Sequence, residues 1–98
     1  MLQILKVQED SMSPSIQEGD FVLVLPYIFS KPSIGDVVVV QHPDEDMLLI
    51  KRIKGIKNGQ YWVEGDNEEG SLDSRNFGPI LRSGVIGKTK TIARKGRG

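Results

Sequence analysis

The sequence predicts a mainly β fold in a single small domain. Short runs of Val, Leu and Ile alternate with Gly and Pro, and no long segment repeats apolar residues at the helical spacing. At 98 residues the chain can bury one hydrophobic core, so residues 1–98 are treated as one domain. The longest apolar runs, 21–25 and 37–40, are far shorter than the roughly 20 residues of a membrane-spanning helix.

Six strands follow from these runs, each bounded by turn residues. They are predicted at 2–7, 20–25, 36–41, 47–54, 60–64 and 85–92. Asn58-Gly59 is typical of a hairpin turn between the fourth and fifth strands. Gly-Asp occurs three times where a turn should meet a strand, because Gly permits the turn and Asp can accept backbone hydrogen bonds. Two long connections remain, 26–34 and 66–79, and loops of such length are often functional.

The segment EDSMSPSIQEGD, residues 9–20, predicts a tight helical turn between the first two strands. Ser13 is a suitable N-cap and Pro14 suits the first helical position. Gly19 can adopt the left-handed conformation that ends such a turn. Ser11 and Met12 have no part in this account, although they stand where the backbone turns.

Composition excludes several kinds of site. The chain has no cysteine, which removes disulfides, thiol catalysis and thiolate metal ligands. Its one histidine, His42, lies beside Pro43 in an acidic loop and is predicted to be exposed. The acidic cluster within residues 64–73 does not fit the spacing of a calcium-binding EF-hand, so it is interpreted as turn chemistry. We expect no metal and no cofactor.

The zero net charge conceals an asymmetry. Residues 1–50 carry two basic and eight acidic side chains, whereas residues 51–98 carry eleven basic and five acidic ones. The segment 88–98 is basic, and residues 93–98 are predicted to be a flexible tail. Such a tail could contact nucleic acid, a membrane surface or an acidic partner, but a solvated terminus is the simpler interpretation. No secretory signal is recognised, which predicts a cytoplasmic protein without a transmembrane anchor.

Lys51 is the most unusual residue of the predicted fourth strand, MLLIKRIKG. Alternation places it on one face with Met47, Leu49 and Ile53, where it is the only charge. Desolvation on such a face should lower its pKa from about 10.4, giving a usable general base. The alternative is that the ammonium reaches the solvated rim of the sheet. A neutral lysine could activate a serine, since Ser-Lys pairs replace Ser-His-Asp triads in some hydrolases.

Three motifs in order, SMSP followed by GD, IKR, and GDNEEGSLDSRNFGP, resemble the signal peptidase I family of serine proteases, within the wider group that includes LexA-type repressors. The resemblance runs from about residue 8 to residue 92. It implies a small, coiled, partly open β-barrel with a short helical turn after the nucleophile. It also implies an endopeptidase that removes an N-terminal signal or propeptide-like segment from a protein substrate. Small soluble relatives include maturation proteases of nickel-type superoxide dismutase, which remove a short N-terminal extension, and the resemblance leads us to expect that this chain belongs to that subgroup.

By position, the resemblance makes Ser11 the nucleophile and Lys51 the general base. Met12 matches a residue near the substrate pocket, and Ser71 matches a serine that orients the base. The residues that match the supporting motif are Gly65, Asp66, Asn67, Asp73, Ser74 and Arg75. The turn would set Ser11 out of the strand and direct its backbone N–H at an oxyanion.

The sequence also departs from the family pattern. Glu9 occupies the position where some members carry a serine that completes the oxyanion hole, and an anion there would oppose catalysis. The membrane anchor and the large extra domain of typical signal peptidases have no counterpart. Two alternatives remain: a LexA-like self-cleaving regulator, for which no target bond is evident upstream of Ser11, and a non-catalytic binding module that keeps the fold.

Overall fold

The computed structural model describes residues 2–8, 10–67, 69 and 72–94. The described residues form seven strands, one short α-helix and one 3-10 turn at Arg82–Gly84. The strands are β1 (Gln3–Lys6), β2 (Phe21–Leu25), β3 (Val37–Gln41), β4 (Leu48–Lys57), β5 (Gln60–Glu64), β6 (Ile80–Leu81) and β7 (Val85–Ala93), and the helix is α1 (Ser74–Phe77). The prediction of a mainly β fold is therefore confirmed, and the two-residue strand β6 was too short to be found from its pattern.

All seven strands join one antiparallel sheet, in the order β1-β2-β7-β3-β4-β5-β6. Register shifts interrupt the pairing at Phe21/Val22, Val39/Val40 and between Ile53 and Gly55. Such irregularities bend strands and increase their twist, which accounts for the curling of the sheet into an open half-barrel. The edges of the sheet are β1 and β6.

Two turns behave as their residues predict. Asn58 and Gly59 both have positive φ angles, 53° and 74°, in the hairpin between β4 and β5. Gly19 has a φ of 91° where the chain turns into β2. The next residue, Asp20, is fully buried and accepts a hydrogen bond from the backbone N–H of Gln17 at 3.0 Å.

The core has two clusters. The larger lies between β3, β4, β5 and the β6–β7 region, and the smaller comprises Val7, Met12, Ile16 and Val22. The smaller cluster lies directly behind the turn that carries Ser11, because Met12 and Ile16 belong to that turn. β3 separates the two clusters and is buried at Val38, Val39 and Val40, which explains its uninterrupted run of valines.

Candidate active site

The turn that follows β1 places Ser11 at its start. The N–H of Ile16 donates to the carbonyl of Met12 at 3.0 Å, forming a single α-turn, and the N–H of Ser13 donates to the carbonyl of Asp10 at 3.0 Å. A tight turn is present as predicted, but the N-cap assignment of Ser13 is wrong, because the turn already begins at Asp10 and Ser13 lies inside it. The Ser13–Pro14 peptide is cis.

Ser11 is buried against β4. Its Oγ donates to the carbonyl oxygen of Ile50 at 3.4 Å, and its own carbonyl accepts from the N–H of Asn67 at 2.9 Å. These contacts join three segments that are distant in sequence: the turn at residues 10–16, β4 and the loop after β5. The residue following Ile50 is Lys51, so the Ser11 hydroxyl meets the β4 backbone next to the second predicted catalytic position.

Lys51 lies in the middle of β4 and is paired with Val38 of β3. Its side chain has 0% exposure and shares its face with buried Leu49 and Ile53. The alternation expected from the sequence is confirmed for these three residues, while Met47 precedes the strand and is exposed. Complete burial also rules out the interpretation in which the Lys51 ammonium sits at a solvated rim.

An apolar groove opens beside Ser11, with a volume of about 240 Å³. Its walls come from β1, the turn at residues 10–16, β3 and β4. The residues that line it with Ser11 include Leu5, Val7, Met12, Val39, Leu48 and Ile50. Met12, which the resemblance expects near the substrate pocket, is one of the residues that line this groove. The groove can hold an aliphatic side chain of a peptide close to the Ser11 hydroxyl.

A polar network connects the turn at residues 10–16 to β4. The Arg52 guanidinium donates twice to the Asp66 carboxylate, at 2.9 and 2.8 Å, and once to the carbonyl of Gly35 at 2.9 Å. The Ser15 hydroxyl donates to Asp66 at 2.7 Å. These hydrogen bonds, the Arg52 bond foremost, hold the pKa of Asp66 below its usual range. The ion pair raises the pKa of Arg52 in turn.

Asp66 and Asn67 also contact the turn through their amides. The backbone N–H of Asp66 donates to the Met12 sulfur at 3.4 Å, and the Asn67 side-chain amide donates to the carbonyl of Asp10 at 3.2 Å. Sequence reasoning named Asp66 and Asn67 but missed Arg52 and Ser15. The signal for Arg52 was its place beside Lys51, because alternation puts the two cations of IKR on opposite faces of one strand.

Asp73 anchors the other end of this loop. It is fully buried, accepts from the N–H of Gly65 at 2.9 Å, and receives two bonds from the Arg75 guanidinium at 3.0 and 2.6 Å. With Asn76 it also forms a reciprocal capping box at the start of α1. The buried Ser74 hydroxyl accepts from the N–H of Val63 at 2.9 Å. Two residues that match the supporting motif, Asp73 and Arg75, are therefore joined by an ion pair.

Two predicted positions, Glu9 and Ser71, lie outside the described residues, as do residues 95–98 of the predicted tail. Of the remainder of that tail, Ala93 pairs with Phe21 as the last residue of β7. The Arg94 guanidinium donates to the carbonyl of Ser15 at 3.2 Å.

His42 was predicted to be exposed, and this is wrong: it is 6% exposed. Its Nδ1 accepts from the backbone N–H groups of Asp44 and Glu45 at 3.0 and 3.1 Å, and its ring packs 4.8 Å from the Phe77 ring. The imidazole thus stabilises the loop in which it lies. The acidic residues that surround His42 in the sequence gave no sign of this burial. Within the described residues, no group of three or more His, Cys, Asp or Glu is placed to hold a metal ion.

The chain is similar to several curated proteases. It is 33% identical over 108 residues to mitochondrial ATP-independent inner membrane protease subunit 1a of Arabidopsis thaliana, which covers 84% of this chain and 64% of that protein. It is 54% identical over 82 residues to mitochondrial inner membrane protease subunit 2 of Saccharomyces cerevisiae, covering 64% and 46%. Subunit 1 of Schizosaccharomyces pombe is 40% identical over 81 residues, covering 63% and 50%.

The chain spans about half to two thirds of the length of these relatives. In the described part of the chain, no helix is long and apolar enough to cross a membrane. The Peptidase S24-like family matches residues 1–88, a region that includes Ser11, Lys51 and the Asp66 and Asp73 networks. The chain therefore belongs to the Peptidase S24-like family.

Proposed function

We propose that this protein is a serine endopeptidase that uses a Ser11–Lys51 dyad. The observation that carries the proposal is the meeting of Ser11 with β4: its hydroxyl lies 3.4 Å from the carbonyl of Ile50, next to a lysine with no solvent exposure. Family membership supports hydrolysis of a peptide bond. We assign the general base to Lys51 and not to His42, because His42 lies in the loop between β3 and β4, where it contacts Asp44, Glu45 and Phe77.

Burial accounts for how a lysine could act as a base. Desolvation favours the neutral amine over the ammonium ion, and a neutral amine can accept a proton. In the proposed reaction, Lys51 takes the Ser11 proton as Oγ attacks the substrate carbonyl. The same proton then passes to the departing amine, leaving an ester acyl-enzyme. Lys51 next deprotonates a water molecule, which attacks the ester and releases the acyl product, while the proton returns to Ser11.

The oxyanion formed in each step needs hydrogen-bond donors, and the backbone N–H of Ser11 is the first candidate. The serine of some family members at the Glu9 position would be a second donor. Glu9→Ser is therefore expected to leave cleavage equal or faster. A large loss of activity in Glu9→Ser would instead show that the Glu9 carboxylate contributes to the reaction.

The groove favours a peptide substrate bound in extended form beside Ser11. An added strand would gain main-chain hydrogen bonds, and the aliphatic lining would select an apolar side chain near the scissile bond. By analogy with the inner membrane protease subunits, the substrate would be a protein that loses an N-terminal segment. The nickel-type superoxide dismutase maturation subgroup and the cytoplasmic location stay predictions.

Cleavage profiling of a diverse peptide pool by mass spectrometry tests the proposal. The wild type should give cuts that Ser11→Ala and Lys51→Arg lack, because arginine cannot give up its proton. Ser83→Ala and Lys90→Arg, at exposed positions, are the matched controls and should cut like the wild type. An active Lys51→Arg variant would overturn the dyad. A pool unchanged by the wild type would favour the binding-module alternative, and a cut in the protein's own chain would favour self-cleavage.

A further inference from the structure

The last strand of the sheet ends against the segment that carries Ser11. β7 pairs with β2 as far as Ala93, which lies opposite Phe21, the first residue of β2. Residues 10–20, named the Ser11 segment, lead directly into β2. The end of β7 and the end of the Ser11 segment therefore meet, and the next residue along the chain, Arg94, lies beside that segment.

The Arg94 guanidinium contacts the Ser11 segment at two points. Its Nη1 donates to the carbonyl oxygen of Ser15 at 3.2 Å, although the two residues are 79 positions apart in the sequence. The same nitrogen lies 4.0 Å from a carboxylate oxygen of Asp20. One side chain from the end of the last strand thus joins the middle of the Ser11 segment to its end.

The contact with Asp20 is electrostatic. The Asp20 side chain is fully buried, and its Oδ2 accepts from the backbone N–H of Gln17 at 3.0 Å. A buried carboxylate is costly unless hydrogen bonds and a nearby cation compensate its charge. The Arg94 side chain is half-exposed and supplies positive charge from the solvent side. Asp20 therefore holds the backbone at Gln17, and Arg94 supports Asp20.

Ser15 is held by two arginines through different atoms. Its hydroxyl donates to the Asp66 carboxylate at 2.7 Å, and that carboxylate forms the ion pair with Arg52 of β4. Its carbonyl oxygen accepts from Arg94. The two bonds cannot replace each other, because one restrains the side chain and the other restrains the backbone. The loop after β5 and the end of β7 therefore both fix Ser15.

The backbone carries the restraint from Ser15 towards Ser11. The carbonyl of Ser15 and the N–H of Ile16 belong to one planar peptide group. Arg94 binds the carbonyl side of this group, and its N–H side donates to the carbonyl of Met12 at 3.0 Å. Met12 directly follows Ser11, so the peptide group that Arg94 binds also fixes the backbone next to the predicted nucleophile.

We propose that Arg94 is a positioning residue for Ser11, acting through the Ser15–Ile16 peptide group and through Asp20. Arg94 is not among the described residues that line the groove, so it acts on the nucleophile and not on the bound peptide. A displacement of a reacting group by about 1 Å can cost about 10²-fold in rate. This inference rests on the proposed function and adds to it a residue outside the span 1–88 that matches the family.

Steady-state kinetics of the full chain on a peptide selected from the pool test the proposal. Arg94→Gln removes the cation, so kcat should fall about tenfold while KM stays within about twofold of the wild type. Arg94→Lys retains a cation with N–H donors and should recover most of the lost kcat. A raised KM with unchanged kcat would overturn the proposal, because Arg94 would then bind the substrate. Equal losses in Arg94→Lys and Arg94→Gln would also overturn it.

Arg82→Gln is the matched control. The Arg82 guanidinium also donates to a backbone carbonyl, that of Val85 at 3.0 Å, but this contact lies at the other end of β7. Arg82→Gln should therefore leave kcat and KM within about twofold of the wild type. A loss of kcat equal to that of Arg94→Gln would overturn the proposal, because the effect would then not depend on contact with the Ser11 segment.

Amide hydrogen exchange followed by NMR separates this inference from the proposed function, because it needs no catalysis. In Arg94→Gln the N–H groups of Ile16 and Gln17, both bonded within the Ser11 segment, should exchange about tenfold faster than in the wild type. Exchange in β3 should not change. A wild type that cleaves no peptide would refute the proposed function, and exchange would still decide whether Arg94 holds the segment. Unchanged exchange of Ile16 and Gln17 would overturn the inference even with an active wild type.

Discussion

Lys51 of β4 and two lysines of β7, Lys88 and Lys90, belong to one sheet, but their surroundings differ. Lys51 is fully buried between Leu49 and Ile53. Lys88 pairs with Val38, as Lys51 does, and therefore lies on the same face of the sheet, yet Lys88 and Lys90 are exposed. Burial favours the neutral amine, whereas solvent favours the ammonium ion. Burial, rather than the face of the sheet, therefore distinguishes these lysines.

The largest expected effect is the loss of cleavage when the buried amine of Lys51 is removed. Lys51→Met retains the length and apolar character of the side chain but has no amine, so we expect cleavage to fall about 10³-fold or more. Lys90→Met, its matched control on β7, should leave the cleavage rate within about twofold of the wild type. Rates are measured on a peptide selected from the pool. Comparable rates for Lys51→Met and the wild type would place the base elsewhere.

The second effect is a loss of stability when the loop after β5 loses its buried anchor, Asp73. Asp73→Ala leaves the Gly65 N–H without this acceptor and removes both guanidinium bonds of Arg75, so the free energy of unfolding should fall by about 3 kcal/mol. Urea unfolding followed by circular dichroism measures it. The exposed Asp44→Ala is the control and should change stability by less than about 0.5 kcal/mol. An equal, small loss in both variants would mean that the Asp73 network contributes little.

A smaller effect should appear in the acid dependence of stability. Arg52 lowers the pKa of Asp66, so the folded state binds that proton less readily than the unfolded state. The resulting stability is present above the usual carboxyl pKa of about 3.9 and is lost as pH falls through the lower folded value. Asp66→Asn should be less stable by about 1 to 2 kcal/mol at pH 7.

The pH profile separates this role from a general packing defect. Asp66→Asn should lose stability less steeply than the wild type below about pH 4, because its amide does not titrate in that range. Parallel profiles for Asp66→Asn and the wild type would contradict the ion pair as the source. Urea unfolding at several pH values supplies both curves.

The smallest effect on stability is expected at Phe29, which is fully exposed. Phe29→Ser should change the free energy of unfolding by less than about 0.5 kcal/mol, because the side chain is fully exposed and makes no core contact. Ile53→Ala, on the buried face of β4, should cost about 3 kcal/mol under the same conditions. A large loss in Phe29→Ser would show that this side chain packs on the fold.

Local chemistry was enough to predict most of the strands and turns. Short runs of apolar residues located β2, β3 and β5 within one residue at each end, and Asn58-Gly59 located the hairpin, since only residues that tolerate positive φ suit that turn. The two-residue β6 and the burial of His42 were not predictable in this way. Both depend on partners that are remote in sequence: β6 on Tyr61, and His42 on Phe77.

The candidate site also has a part that the sequence predicted and a part that only the tertiary structure revealed. Alternation along β4 by itself identified Lys51 as a charge on an apolar face, and the order of the three motifs identified Ser11. The Arg52–Asp66–Ser15 network and the groove were decided only by the tertiary structure, because the network joins residues 14 and 51 positions apart through the meeting of a turn, a strand and a loop. Side-chain period is a property of the local backbone, whereas the distance between remote segments is set by how the whole sheet curls.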